Sequence, residues 1–479
     1  MRPEIVMRNV GFILLFNSLF LLISSLISLA LGENSFYSLF FSSAVVFLFG
    51  VFPLIFVPPS MNISNKEGLF IIVSGWIASC LIGTLPYLLW GGPFSATNAW
   101  FESVSGFTTT GASILTDIEA IPKGLLFWRS STHWLGGVGI IVFVLALLPS
   151  MGAASMVLYR TETSALAMKD FRYRTRETLK IIFYVYIGLT VLETIALLFS
   201  GLSLFDSITH SFATIATGGF STKNNSIAYF NSPLVETVII FFMILSGIHF
   251  GLLFLFATGS FRKLYESTVI RYYFLSIVLG TALVGIGLYG VNYQAFSDVM
   301  RYSAFQVVSI STSTGFANAD STLWSSSAQL CLIFFTIQCA CAGSTSGGIK
   351  ADRFVLFAKA LGRELFKLRH PKGVYSIKVD NVTVDDPSVD SAVLFILLYI
   401  AILIVSTLLI TFLGVDIMTA FSGAAAAMGN VGPGFGLVGS MDNYSHLPSS
   451  VKWILTLDML LGRLEIYAII LFATIRRWK

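Results

Sequence analysis

The chain has 479 residues, 55% of them hydrophobic and 11% charged, with a mean hydropathy of +0.82 and a formal net charge of +4. A soluble domain carries about 25% charged residues, so this composition excludes a protein whose whole surface faces water. The basic stretches are short and each abuts an apolar run, which argues against a nucleic-acid partner and for an all-α polytopic protein of the lipid bilayer, where an apolar helix of about 20 residues spans the hydrocarbon.

In chain order, Arg2 and Arg8 precede an apolar run at 9–31. It is longer than the core of a secretory signal, and a second run follows at 37–58, so it reads as a retained first helix. Residues 1–60 form an extra amino-terminal helix pair. From 61 onward one pattern recurs four times: an apolar span, a short dip too brief to cross, a polar turn, and a second span. The unit at 61–150 has spans 68–90 and 125–148 around a dip at 96–110. The unit at 151–260 has spans 179–200 and 235–258 around 203–218. The unit at 261–378 has spans 272–291 and 327–366 around 299–314, and the unit at 379–479 has spans 391–414 and 451–475 around 417–431. About ten transmembrane helices result, with four parallel repeats in pseudo-fourfold arrangement.

Most Lys and Arg cluster at the amino end, at Lys66, from Arg160 to Lys180, at Arg262, Lys263 and Arg271, from Lys350 to Lys378, and at Arg476, Arg477 and Lys479. The positive-inside rule puts both termini in the cytoplasm, in agreement with ten crossings. Each dip therefore re-enters from the outer side. Irregular backbone survives at membrane depth when it is buried in protein or lines a watery path.

The dips end in Thr109-Thr110-Gly111, Thr217-Gly218-Gly219, Ser313-Thr314-Gly315 and Asn430-Val431-Gly432. A dehydrated cation needs oxygens in place of water, and rings of backbone carbonyls supply them. Glycine reaches the backbone angles that aim carbonyls at an axis. The hydroxyls of Thr109, Thr110, Thr217, Ser313 and Thr314 are further candidate oxygens. Nine residues before each glycine stand Glu102, His210, Gln306 and Gly423. Glu102 either bonds the turn backbone from behind or anchors its short helix.

Within 327–366 the run Gly343-Ser344-Thr345-Ser346-Gly347-Gly348-Ile349-Lys350 interrupts the helix, since each Gly costs about 1 kcal/mol relative to Ala there. It is expected to be a movable loop closing the pore from the cytoplasmic side. No strand precedes it and its spacing is not that of a phosphate-binding loop, so it is no nucleotide site. Arg463, within the last span, is costly at that depth and marks function. Asp458 and Glu465 do not share its helix face, so its expected partner is another unit or the carbonyls of the Gly343–Gly348 loop. Cys80, Cys331, Cys339 and Cys341 are expected as buried thiols.

With these strings, together with Trp134-Leu-Gly-Gly-Val-Gly-Ile140, Ala216-Thr-Gly-Gly-Phe-Ser-Thr222, Asn430-Val-Gly-Pro-Gly434 and Gly462-Arg463, the chain resembles the membrane subunit of Trk-type potassium uptake systems, in the Trk/Ktr/HKT superfamily. The resemblance implies a K⁺ filter at the four glycines, an intramembrane gate at 343–350 and an arginine barrier at Arg463. It implies a homodimer in a bacterial or archaeal plasma membrane, with no organic cofactor. It also implies a cytosolic TrkA-type regulatory subunit that binds ATP, ADP or NAD. Arg160–Lys180 and 350–378 are the candidate docking surface. Of the four turns, that of Gly432 alone has a second glycine two residues on, Gly434, so discrimination against Na⁺ is expected to be loose. Two rivals stand beside this reading. A secondary transporter coupling H⁺ or Na⁺ to K⁺ or another small solute would favour inverted repeats. A membrane enzyme would need acid–base chemistry from Glu102, Asp206 or His210, which form no catalytic pattern, so the chain reads as a non-enzyme.

Overall fold

The computed structural model describes residues 2–59, 63–147, 175–380 and 382–474. Most of the Arg160–Lys180 stretch lies outside the described residues. Helices α1 (Pro3–Ala30) and α2 (Phe36–Phe56) form a hairpin. Gly11 and Gly50 let the two backbones meet: a Cβ on Gly11 would strike the Gly50 carbonyl oxygen, the small-residue device by which helices associate in lipid. Phe41, Phe47, Leu48 and Phe49 remain exposed on the outer face of α2, as suits a surface facing hydrocarbon.

The first unit follows with α3 (Asn65–Gly83), α4 (Leu85–Trp90), the short α5 (Ala96–Phe107) and α6 (Lys123–Leu147). The second has α7 (Thr175–Phe199), the short α8 (Leu204–Ile215), α9 (Pro233–Ser246) and α10 (Phe250–Ala257). After α11 (Phe261–Glu266), the third has α12 (Thr268–Leu288), the short α13 (Phe296–Ser311), α14 (Ser326–Ile337) and α15 (Ala351–Arg369). A two-residue ribbon pairs β1 (Lys378–Val379) with β2 (Val382–Thr383). The fourth unit has α16 (Asp386–Phe412), the short α17 (Ile417–Met428), α18 (Ser449–Arg463) and α19 (Ile466–Thr474).

Three of the four short helices start where the sequence provides a side-chain cap; α13 starts after Ala295 without one. Ser95, Ser203 and Asp416 each accept the backbone N–H three residues on, a contact worth about 1 kcal/mol. Twelve residues at 1.5 Å each reach about 18 Å, about half a bilayer core, so α5, α8 and α17 dip and do not cross. Six described helices are long and apolar enough to cross, or seven with the bent pair α9–α10. The remaining crossings are α6, which carries Lys123 and Arg129, and the broken inner helices of the third and fourth units.

Two breaks differ from expectation. The spans expected as continuous at 235–258 and 451–475 are interrupted, like 327–366. Helices α9 and α10 meet at 106°, and α18 stops at Arg463 before α19 resumes at Ile466. Their physical reason is tertiary. At the first, Gly247 O accepts from Cys341 N (3.1 Å) and Phe250 N donates to Gly343 O (3.2 Å), so the third unit recovers the backbone groups that leave the helix. At the second, Glu465 takes φ +53 and its carboxylate meets Arg353 at 2.6 Å and Lys350 at 3.7 Å.

Candidate functional site

The four short helices end identically. Thr109, Thr217, Ser313 and Asn430 have φ of 53, 53, 56 and 51°, and Gly111, Gly219, Gly315 and Gly432 have φ of 83, 80, 77 and 97°. In each unit the first of these residues donates its N–H to the carbonyl three back: Thr109 to Gly106, Thr217 to Thr214, Ser313 to Ile310, Asn430 to Ala427. The next residue donates five back: Thr110 to Ser105, Gly218 to Ala213, Thr314 to Ser309, Val431 to Ala426. That double bond is a Schellman cap. It turns the amides toward the helix and leaves the carbonyls to face the other way. A β-branched residue in the left-handed region is an outlier; its recurrence at Thr109 and Thr217 marks a position held by its surroundings.

The four turns close on one another. A Cβ on Gly111 would strike the carbonyl oxygen of Gly218; on Gly219, that of Thr314; on Gly315, that of Val431; and on Gly432, that of Thr110. Each glycine thus abuts the carbonyl just before the next unit's glycine, and the fourth returns to the first. The result is a closed ring of four backbones around one axis.

The hydroxyls are used unequally. Thr110 Oγ1 pairs with Thr108 Oγ1 (2.8 Å) and accepts from Asn430 Nδ2 (3.0 Å), and Thr314 Oγ1 pairs with Thr312 Oγ1 (2.8 Å). Thr217 Oγ1 donates to Ala216 O (2.7 Å). Gly432 O accepts from the Tyr444 hydroxyl at 2.6 Å, so one of its lone pairs is turned outward, a departure from four equivalent glycine carbonyls.

Beneath the ring lies the loop 338–350. It is sewn to itself by Cys339 N to Ile349 O (2.9 Å), Ile349 N to Ile337 O (3.2 Å) and Ala351 N to Ala340 O (2.9 Å). Thr345 Oγ1 donates to Ile215 O at the end of α8 (3.0 Å), Ser313 Oγ meets Ser346 Oγ (3.0 Å) and accepts from Gly347 N (3.0 Å). Gly347 packs on Asn430, and Gly348 on Gly429 and Cys339. Arg463, 4% exposed, donates Nη1 to Thr345 O (2.5 Å) and Nη2 to Gly136 O on α6 (3.2 Å). The loop therefore touches the second, third and fourth units directly and the first through Arg463. Asp458 instead accepts from Ser406 Oγ (2.7 Å), so neither near-sequence carboxylate faces the arginine. Lys350 points away from the ring, toward Glu465.

The family model described as TrkH, cation transport protein, matches residues 40–274 and 291–477. A Trk system potassium uptake protein TrkH from Escherichia coli is 38% identical over 423 residues, covering 87% of each chain. Its namesake from Halomonas elongata is 33% identical over the whole of both. The crystal structure of the potassium transporter TrkH from Vibrio parahaemolyticus superposes with a TM-score of 0.88 at 31% identity, covering all of both chains.

This chain belongs to the TrkH family.

Behind the ring, the TrkH-family chain carries residues that sequence reading left open or missed. Glu102 does bond the backbone just past its turn: it accepts from Ile114 N (3.0 Å), Ser113 Oγ (2.9 Å) and Arg129 Nε (2.6 Å). His210 reaches Ser221 Oγ (2.9 Å) and Gln306 donates to Ala319 O (3.2 Å). Gly423 has no side chain for this, and Ser422 substitutes, accepting from Phe435 N at 2.8 Å. Arg129, Glu236 and Arg301 were not singled out. Their signal was available: each is a charge inside or beside an apolar stretch, where partners are obligatory.

Proposed function

We propose that this chain conducts K⁺ inward across a bacterial or archaeal plasma membrane, the cell inner membrane, through the ring of four turns. The observation that carries the reading is the cyclic abutment of Gly111, Gly219, Gly315 and Gly432 on the next unit's carbonyl, which gathers neutral oxygens from all four units where a dehydrated cation needs them. The relatives' printed names, potassium uptake proteins, support the choice of ion.

The filter residues are Thr109, Thr110, Gly111, Thr217, Gly218, Gly219, Ser313, Thr314, Gly315, Asn430, Val431 and Gly432, with one unit each in 61–150, 151–260, 261–378 and 379–479. The loop from Gly343 through Ser344, Thr345, Ser346, Gly347 and Gly348 to Lys350 is the gate. Arg463 latches it and sets a positive barrier below the ring. Movement of this loop breaks the Ser313, Thr345 and Gly347 contacts together. The chain acts as a homodimer with a cytosolic TrkA-type, nucleotide-binding regulatory subunit that docks on the basic cytoplasmic surface, both termini lying on that side.

Rubidium tracer uptake into proteoliposomes of purified protein tests the reading. Uptake that follows an imposed K⁺ gradient and is competed by K⁺ supports it. A folded, correctly inserted protein through which no alkali cation passes overturns it. Strict dependence of uptake on a proton or Na⁺ gradient would replace passive conduction with coupled transport.

A further inference from the structure

The ring is regular, yet what holds it from behind is not. Arg129 on α6, 3% exposed, makes three contacts at once. Its Nε donates to Glu102 Oε1 (2.6 Å), its Nη1 donates to Ser221 O (2.9 Å), and its guanidinium carbon lies 3.5 Å from the centre of the Phe220 ring. His133, one turn further along α6, stacks on Phe220 at 4.0 Å and 14°. Two groups this near one ring centre occupy its opposite faces, so Phe220 is clasped between two side chains of the first unit's inner helix. Phe220 and Ser221 directly follow Gly219. Glu102 in turn holds Ser113 and Ile114, which follow Gly111.

One ion pair therefore ties the outgoing limb of the first turn to that of the second. A second ionic tie crosses the next seam: Glu236 on α9 accepts from Arg301 (2.6 and 2.9 Å) and from Asn318 (2.8 Å), three residues past Gly315. The seams to and from the fourth unit carry charge elsewhere, with Lys452 reaching Asn98 of the first unit (2.9 Å) and Glu465 pairing with Arg353 and Lys350 of the third. The outgoing limbs of the turns themselves meet there through neutral hydrogen bonds. Ser321 N donates to Ser440 Oγ (3.0 Å) and Tyr444 N to Ser113 O (2.8 Å).

Resting on the filter reading above, we infer that Arg129 is a positioning residue for ion selectivity: with Glu102 and Phe220 it fixes the first two turns relative to each other. The spacing of the ring's oxygens, and with it the preference for K⁺ over Na⁺, then depends on a fork that Lys cannot reproduce. A planar guanidinium presents two donors and a stacking face in fixed relation; an ammonium is a point charge on a flexible stem. Arg129→Lys keeps the charge and loses the fork. Glu102→Gln keeps the shape and loses the charge.

The test is rubidium uptake in proteoliposomes with Na⁺ as competitor, for wild type, Arg129→Lys, Glu102→Gln, Phe220→Leu and the distant exposed-pair control Arg262→Lys. The expected result is Na⁺ competing about tenfold more effectively in the first two variants, equivalent to about 1.4 kcal/mol of lost discrimination, with a smaller shift of the same sign in Phe220→Leu and none in the control. Folded variants with lowered melting temperatures and unchanged Na⁺ competition overturn the inference, leaving a purely structural bolt. Loss of fold in all three assigns the pair to folding and equally ends it. A wild type that passes no rubidium sinks the filter reading instead, a distinguishable failure.

Discussion

The ring of turns and the layer just beneath it are built on opposite plans. In the ring, four sequences with little in common, from Thr-Thr-Gly to Asn-Val-Gly, adopt the same pair of positive φ values and the same double cap. One layer down, α6 runs on past the level where the other three inner helices break, and the breaks are made from different materials: a bend at Gly247–His249, a glycine-rich loop at 338–350, and a single left-handed Glu465. The contrast separates two demands. An oxygen shell around a cation needs equivalent backbones on all sides. A closure needs one part able to move while others hold it, and equivalence there would give four competing hinges.

The largest expected effect comes from damaging the equivalence. Gly315→Ala places a Cβ against the Val431 carbonyl at φ +77, where a non-glycine residue already costs about 1–2 kcal/mol. Rubidium flux is expected to fall by at least about tenfold, about 1.4 kcal/mol in barrier terms. Gly201→Ala is the control: φ is +94 but nothing lies within 4 Å, so flux stays as in wild type. Equal loss in both would mean that backbone strain alone, not the closed ring, is being read.

Next in size is the asymmetric layer. Arg463→Gln removes the positive charge shared by Thr345 O and Gly136 O, and rubidium flux at zero regulatory subunit is expected to rise; unchanged or abolished flux in correctly inserted protein counts against the barrier. Glu465→Gln loosens the link from the fourth unit's break to Lys350 and Arg353 at the loop's end. Removing one partner of a fully buried pair costs about 3–5 kcal/mol; with Lys350 and Arg353 side chains 12% and 15% exposed, a cost at or below the lower end is expected. Thermal unfolding with and without the variant measures it. A melting temperature that does not move would detach the fourth-unit break from the proposed gate.

The two plans also differ in how far they were legible. The turns announce themselves through local chemistry: a moderately apolar run too short to cross, rich in Gly, Ser and Thr towards its end and closing on a glycine, in the same slot between two spans four times. The loop at 343–350 was legible because three glycines crowd it. The breaks at Gly247 and Glu465 were not, since one glycine or one acid in an apolar run is compatible with a continuous helix. What decides them is the partner in another unit, Cys341 N on Gly247 O and Arg353 on Glu465. The same holds for Arg129, whose neighbours at 102, 220 and 221 come together through the fold alone, and for Tyr444, whose hydroxyl claims a lone pair of Gly432 O.

The smallest effect lies at the outer rim, where the comparison between units extends into the connecting loops. Asp117 in the first unit and Asn224 in the second tie these loops. Asn224 donates to Asp117 Oδ1 (3.0 Å) and accepts from Ile118 N (2.6 Å), while Asp117 accepts from the amides of Glu119 (3.2 Å) and Ala120 (3.3 Å). The hydrogen bond from Asn224, helped by the two amides, holds the Asp117 carboxyl below its ordinary pKa. A carboxylate with a depressed folded pKa adds stability that is present above its ordinary pKa and is lost as pH falls through the folded value. The tie therefore holds at neutral pH and loosens in acid. Hydrogen exchange at Ile118 and Ala120 is expected to quicken below the ordinary carboxylate range beyond the intrinsic pH dependence, and Asp117→Asn to abolish that extra component while leaving rubidium flux at neutral pH unchanged. A flux change in Asp117→Asn would show that the rim, too, sets the geometry of the ring, and would extend the demand for equivalence outward from the four glycines.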